Sequence, residues 1–312
     1  MRTLAVVLQA PRVLALQSLA LSAPTEQDVV VDLEWSGVST GTERLLWSGR
    51  MPDFPGMGYP LVPGYESVGR VVKAGASSGR RVGERVFVPG AKCFGDVRGL
   101  FGGAASQLVL PGARALPLDD SLEDRGVLLA LAATARHALA APGAVRPQLI
   151  VGHGVLGRML ARLTVLDGGA PVVWETDPTR RSGADGYSVI DPALDTRRDY
   201  ACICDASGDA ALLDKMIARL APGGEIVLAG FYEEALRFDF APAFMREARI
   251  RVAAQWQPDD LLAVRDLAQS GRLSLDGLIS HRCDAAEAGD AYRTAFGDPA
   301  CLKMTLDWRN CS

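Results

Sequence analysis

The chain has 312 residues, 48% of them hydrophobic and 22% charged, with a formal net charge of −4. That length suggests two domains and a sizeable core, and the acidic balance supplies no field for phosphate backbones, which excludes a nucleic-acid partner. The opening TLAVVL run is too short for a membrane span and has no cleavage pattern, and the six cysteines (Cys93, Cys202, Cys204, Cys283, Cys301, Cys311) include no C-x-x-C pair, so the expected setting is cytoplasmic, without a disulfide framework.

From the N-terminus, short β-rich runs at 4–8, 29–35, 68–74, 85–88 and 105–110 are punctuated by Gly and Pro, the pattern of a small β domain. Between them, PDFPGMGYPLVPGYE (52–66) carries four prolines and three glycines in fifteen residues. Proline fixes φ and removes a donor, so this stretch reads as loop rather than helix or central strand. Its Phe54, Met57, Tyr59 and Leu61 either pack internally or offer an apolar face to a flat ligand. Past Leu116 the texture changes. SLEDRGVLLALAATARHAL has Ser121 as an N-cap candidate, acids in its first turn and an apolar run to Ala140, which predicts one helix. His137 on that helix is expected to be packed or at the surface.

The stretch 149–175 organises the rest of the chain. Leu149, Ile150 and Val151 form a short apolar run ended by glycine, which reads as a buried strand. Gly152, Gly154 and Gly157 follow in the spacing G-x-G-x-x-G, and Val155, Leu156, Met159, Leu160, Leu163 and Leu166 continue at helical spacing. A second strand over 171–175 ends in Glu175, 23 positions after the first glycine. Each part suits a dinucleotide. Gly152 allows the tight turn, Gly154 lets a pyrophosphate approach the backbone, and Gly157 lets the helix pack close to the sheet. The first helical turn, with Val155 and Leu156, offers N–H groups to the phosphates, and Glu175 is placed to accept from an adenosine ribose. The alternative is a glycine-rich turn that binds nothing. His153, inside the turn, either contacts a phosphate or is a tolerated loop side chain.

Further strands are expected at 188–191, 200–204, 225–229 and 249–254, with an amphipathic helix at 210–220 closed by Pro-Gly-Gly and another at 259–270. Strands alternating with helices imply an α/β fold with a parallel, doubly wound sheet. Ligands bind beyond the carboxyl ends of such strands, which places Ser207 and Gly230 at a cofactor cleft. Cys202 and Cys204 alternate along one strand and read as core. The segment 278–308 reads as strand, helix, strand, returning to the first domain.

GVSTGTE (37–43), VPGYESVGRVVKAG (62–75), VGERVFV (82–88) and GGAASQLVL (102–110) stand in the order found in medium-chain dehydrogenases/reductases, which the whole chain resembles. The resemblance implies a GroES-like β-barrel domain at 1–118, completed by 272–312, joined to a Rossmann domain at 119–271. It also marks a departure. Zinc-dependent members place Cys and His ligands where this sequence has Ser39 and Tyr65, and a third ligand near Ala130; the four-cysteine structural-zinc lobe is missing, with Cys93 alone there. Hydroxyl, phenol and methyl do not make a zinc site, so no metal is expected. Ser39, Thr40, Tyr65 and Lys92 inherit the place where the metal would sit, and Glu66 reads as a structural or supporting carboxylate. Tyr65 is the main candidate for the proton at the reacting oxygen. Thr134 falls where the family has a threonine close to the nicotinamide, and His281 where a residue shapes the return.

Glu175 would repel a 2′-phosphate, and an acid followed five residues later by Arg180 resembles the NAD-dependent members; Arg180 and Arg181 by themselves would argue for NADP. The expected cofactor is NAD. The strings VSTGTERLLWSGRMPDFPGMGYPLVPGYE, FAPAFMREARIRVAAQW and DPACLKMTLDW resemble the branch of the family that acts on bacteriochlorophyllides. That resemblance implies a tetrapyrrole substrate whose 3-(1-hydroxyethyl) group is oxidised to 3-acetyl. A macrocycle can delocalise the positive charge left by hydride departure, which makes zinc loss chemically reasonable. Two alternatives stay open: a zinc-free NAD(P)H quinone or enone reductase, and a non-catalytic nucleotide-binding protein. The oligomeric state is not legible, and a homodimer is left open.

Overall fold

The computed structural model describes residues 1–140 and 143–311. The chain divides into two compact units, Met1–Ala130 with Leu275–Ser312, and Leu131–Ser274. The sequence expectation had put these boundaries at 118/119 and 271/272.

In the first unit the chain runs through β1 (Arg2–Ala10), β2 (Val13–Ala20), β3 (Asp28–Val38), helix α1 (Thr42–Ser48), β4 (Leu61–Val62), β5 (Ser67–Ala74), β6 (Arg85–Val88), β7 (Arg98–Gly99), β8 (Gln107–Pro111) and β9 (Leu116–Pro117). The long strand β3 is central because Val29, Val30, Val31 and Leu33 are all buried along it; it pairs antiparallel with β5 and β8. Each such side chain contributes about 1.5–3 kcal/mol on burial. Among the described residues the strands form two sheets, β2-β1-β4-β7 and a larger one around β3, and a single bridge, Ala5 to Ala105, lies outside the named strands. The GroES-like unit is therefore two sheets rather than a closed ring of strands.

The proline-rich loop turns its side chains inward. Phe54, Met57 and Tyr59 pack against a buried cluster of Leu8, Leu45, Leu46, Met51, Leu61 and Leu100. Of its two sequence readings, internal packing is the one observed. Helix α1 in front of it had no sequence signal strong enough to be expected: it is seven residues long, starts after Gly41 and ends at Gly49 in the left-handed region (φ 75°).

The single helix expected from Ser121 to Ala140 is two pieces. A 3-10 segment, Asp120–Leu128, breaks at Glu123 (φ 45°, ψ −135°), and the α-helix α2 spans Leu129–Leu139. The cause is Arg85, whose buried guanidinium pairs with Glu34 and donates to the main-chain carbonyls of Asp119 and Glu123. The Glu123 carbonyl is drawn away from the helical direction, while that of Asp119 is shared between Arg85 and the Leu122 N–H. Ser121 is no N-cap; Asp119 takes that position without a side-chain capping bond.

The second unit continues with β10 (Leu149–Val151), α3 (Val155–Leu166), β11 (Val172–Trp174), β12 (Ser188–Ile190), β13 (Tyr200–Asp205), α4 (Leu213–Ile217), β14 (Leu220–Leu228), α5 (Phe240–Met245), β15 (Arg249–Val252) and α6 (Pro258–Gln269). Its six strands lie in the order β12-β11-β10-β13-β14-β15 and all pair in parallel. This is the doubly wound α/β sheet expected, and its order reverses between β10 and β13. Such sheets bind ligands beyond the carboxyl ends of the strands at that reversal. The expected helix 210–220 is shorter. It has a 3-10 turn, Ala210–Leu212, then α4, and Leu220 already belongs to β14, where it pairs with Tyr200. The Pro-Gly-Gly lies inside β14 and does not close a helix. Cys202 and Cys204 are buried on β13, as expected of core residues.

The return contains β16 (His281–Asp284), α7 (Ala288–Gly297) and β17 (Met304–Asp307). Strand β17 pairs antiparallel with β3 and parallel with β16, so the C-terminus completes the first unit's larger sheet. His281 bonds to Ser280 through Nδ1. No helix among the described residues is long and apolar enough to cross a membrane.

Candidate functional site

In the second unit, Gly152 adopts φ +93°, a left-handed conformation that favours glycine. A Cβ on Gly157 would stand 1.8 Å from the Gly152 carbonyl oxygen, so only glycine lets α3 begin this close to the turn. Gly154 differs: it caps α3 with ordinary extended dihedrals (φ −71°, ψ −173°), and an added Cβ would have nothing within 4 Å. Space in front of it is open. No side chain caps α3, so the first-turn N–H groups, at Val155 and Leu156 among others, are left for an incoming acceptor.

His153 is fully buried. Its Nδ1 donates to the Arg180 carbonyl (2.7 Å) and its Nε2 accepts from the Tyr187 hydroxyl (2.9 Å). Burial pushes its pKa down to about 4, so the ring is a neutral rivet holding the 180–187 loop. It points into the protein and not toward a phosphate. Arg158, also buried, donates to the carbonyls of His153 and Arg180.

Glu175 follows β11 and is half-buried. One carboxylate oxygen accepts the His153 main-chain N–H (3.2 Å) and the other that of Asp177 (2.9 Å). The carboxylate is thus anchored by two main-chain N–H groups. Arg181 is committed to Asp191 and to the carbonyls of Glu175 and Thr176. Ser207 and Gly230 lie on the loops after β13 and β14, where Ser207 Cα is 3.3 Å from the position of a Cβ on Gly152 and the Gly208 nitrogen 2.8 Å from that of one on Gly230. Thr134 is half-buried in the middle of α2.

In the first unit, Tyr65 donates its phenol proton to Ser39 Oγ (2.9 Å), with Thr42 Oγ1 3.5 Å from the same phenol. Sequence reasoning brought Ser39 and Tyr65 together; it missed what lies beneath them. Glu43, on α1, accepts the Ser39 main-chain N–H (2.9 Å) through one oxygen and the Tyr292 hydroxyl (2.6 Å) through the other. Glu66 is paired with Lys303 Nζ at 2.6 Å, and that ammonium also faces the Val38 carbonyl at 3.4 Å. Glu43, Glu66, Tyr292 and Lys303 are all fully buried. Glu43 sits inside the quoted GVSTGTE motif, which was the available signal; Tyr292 and Lys303 gave none, being more than 200 residues away in sequence.

Burial raises the Glu43 pKa to about 7, only partly offset by its bonds to Tyr292 and Ser39. Tyr65 is pushed above the ordinary phenol range, first by burial and then by the nearby Glu66 carboxylate. It therefore keeps its proton at neutral pH. Thr40 is half-buried beside Ser39. Lys92 is exposed and lines a surface pocket with Ser22, Asp28, Cys93 and Arg114, none of which belongs to the hydroxyl cluster. Among the described residues no three His, Cys, Asp or Glu side chains converge as a metal ion would require. The donors at Ser39 and Tyr65 are neutral, the neighbouring carboxylate is occupied by an ammonium and Ala130 is a buried methyl, a set that does not fit zinc.

Residues 25–120 match the alcohol dehydrogenase GroES-like domain family. The chain is 60% identical, over 99% of both sequences, to the 2-desacetyl-2-hydroxyethyl bacteriochlorophyllide A dehydrogenase of Cereibacter sphaeroides, and 57% identical, again over 99% of both, to the protein of that name in Rhodobacter capsulatus. It belongs to this dehydrogenase family, within the medium-chain dehydrogenase/reductase superfamily. Membership makes it an oxidoreductase. An alcohol dehydrogenase from Escherichia coli CFT073 complexed with NADH shares the fold, with a TM-score of 0.82 at 21% identity over 98% of this chain and 99% of that one.

Proposed function

We propose that this oxidoreductase removes hydride from the 3-(1-hydroxyethyl) group of a bacteriochlorophyllide precursor, giving 3-acetyl, with NAD as acceptor and without a metal ion. The observation that carries the reading is the Ser39–Tyr65 hydroxyl pair, which the resemblance sets where zinc-dependent members hold their metal, in a chain 60% identical to a relative named for this substrate. When bound, NAD+ supplies the hydride acceptor. Gly152, Gly154 and the first turn of α3 bind the pyrophosphate, Glu175 and Arg180 hold the ribose, and Thr134, Ser207 and Gly230 complete the cleft. Tyr65 remains a phenol at neutral pH, so its oxygen takes the substrate alcohol's proton only as its own proton passes to Ser39 and the Ser39 hydroxyl proton in turn leaves to solvent. Thr40 is within the same turn, and the neighbouring Glu66 charge helps to keep Tyr65 protonated. The macrocycle carries part of the charge that zinc stabilises in other dehydrogenases.

Turnover of the hydroxyethyl pigment, followed by its absorption spectrum with NAD+, tests the substrate; activity on simple quinones with NAD(P)H alone, or NAD binding without any turnover, would replace the reading by one of its rivals. Tyr65→Phe should lower kcat by about a hundredfold or more, the usual scale of general acid–base help, with NAD affinity unchanged. An undiminished rate would move the proton role to Ser39 or Thr40. Protein purified without added metal should contain far less than one zinc per chain by elemental analysis, and stoichiometric zinc would overturn the metal-free mechanism.

NAD over NADP is supported by Glu175, whose charge opposes a 2′-phosphate, and by Arg181, whose guanidinium is engaged elsewhere. Glu175→Ala should weaken NAD binding by about tenfold or more, since a hydrogen bond to a charged group is worth about 1.5–3 kcal/mol, and should narrow the preference over NADP. Equal titration of the wild type by the two cofactors would remove the assignment.

A further inference from the structure

Resting on the nucleotide-site reading above, we infer that Asp205 and Tyr232 form a clamp that positions the cofactor loops. Asp205 ends β13 and is completely buried. One carboxylate oxygen accepts both the main-chain N–H and the hydroxyl of Ser207 (2.8 and 2.6 Å), and the other accepts the Tyr232 hydroxyl (2.5 Å). Its main-chain carbonyl accepts the N–H groups of Ala229 and Gly230, both at 2.9 Å. A single residue thus ties the loop after β13 to the loop after β14 by side chain and backbone together. The glycine turn after β10 rests on the same place, because the main-chain N–H of Ala206 donates to Val151 (2.9 Å) and Gly152 packs on Ser207.

This is the point where the strand order reverses, so three loops that must face one ligand are registered around one residue: its carboxylate holds Ser207 and Tyr232, its carbonyl holds Ala229 and Gly230, and the next main-chain N–H holds the glycine turn. A carboxylate suits the task. It can accept from several directions at once, and charge-assisted bonds are shorter and stronger than neutral ones. A buried carboxylate that loses a donor is penalised further by the low local dielectric. Tyr232 comes from beyond β14 and supplies the donor that the local Asp205–Ser207 turn cannot. Asp205 and Tyr232 are positioning residues: they act on the cofactor through Ser207 and Gly230.

The test is NAD+ and NADH binding by calorimetry on folded, full-length protein, with Tyr232→Phe, Ser207→Ala, the double variant and Asp205→Asn. Tyr232→Phe should raise the NAD+ Kd, and KM with it, about tenfold while leaving kcat at saturating cofactor within about threefold. Tyr232→Phe and Ser207→Ala should be non-additive, as expected of groups sharing one partner; a purely structural tyrosine would give additive losses. Asp205→Asn, which keeps an acceptor for Ser207, should bind NAD+ more tightly than Asp205→Ala, measured alongside it. Wild-type affinity in Tyr232→Phe, or strict additivity, overturns the clamp; if Gly154→Val meanwhile abolishes binding, the nucleotide site itself stands. Normal binding by Gly154→Val would instead bring down the site reading and the clamp with it.

Discussion

Gly154→Val should fold normally and bind NAD at least about a hundredfold more weakly, a loss of about 2.7 kcal/mol. The backbone at 154 is in a region open to any residue, and the added side chain would enter space in which no protein atom lies within 4 Å of its Cβ. That space is where a pyrophosphate must come against the N-terminus of α3, so the branched side chain and the ligand compete directly. Circular dichroism and an unfolding midpoint close to wild type would establish the fold. Normal NAD affinity in that folded variant would remove the phosphate turn from the mechanism. Gly157 is the contrast: a Cβ there would collide with the Gly152 carbonyl at 1.8 Å, so substitution at that position disturbs the fold before any ligand is involved.

Lys303→Met should destabilise the protein by about 3–5 kcal/mol, the usual result of removing one partner from a buried ion pair. Lys303 and Glu66 are 1% and 0% exposed, and the second Glu66 oxygen has no hydrogen-bond partner among the described residues. Without the ammonium, the carboxylate must be buried unpaired or take up a proton. Glu66 Oε2 lies 2.3 Å from where a Cβ on Gly37 would stand, so the carboxylate occupies space that only a glycine at 37 leaves open. Denaturant unfolding would measure the loss, and a change within about 1 kcal/mol would show that the pair does not matter. Replacing both partners by apolar side chains should recover most of it, because buried pairs and well-packed hydrophobic substitutes are often close in energy.

The parts of the fold legible in the sequence were those whose signal is local. Alternation and short apolar runs marked the strands of both units, and G-x-G-x-x-G between a strand and a helix marked the nucleotide turn. Local signals misled where a distant side chain reached in. Ser121 through Ala140 has the composition of one helix, yet Arg85, some forty residues earlier, takes the Glu123 carbonyl that helix would use. The run ending at Leu220 looked helical until strand pairing with Tyr200 claimed its last turn. The aromatic loop at 52–66 left two readings open along the chain, and Leu8 and Leu100, distant in sequence, are what it packs against.

By itself, the sequence determined that the chain is a two-part α/β protein with a glycine turn between a strand and a helix, an acid 23 positions after its first glycine, and hydroxyls at Ser39 and Tyr65. Those properties depend on residue type and short spacing, which are written along the chain. Only the tertiary structure decided what supports each site. Glu43 and Tyr292 are 249 positions apart, Glu66 and Lys303 are 237 apart, and Asp205 reaches Tyr232 across 27 residues. A buried carboxylate must find its donor wherever the fold brings one, because water is not there to supply it. Such partnerships are set by packing, and no periodicity along the chain announces them.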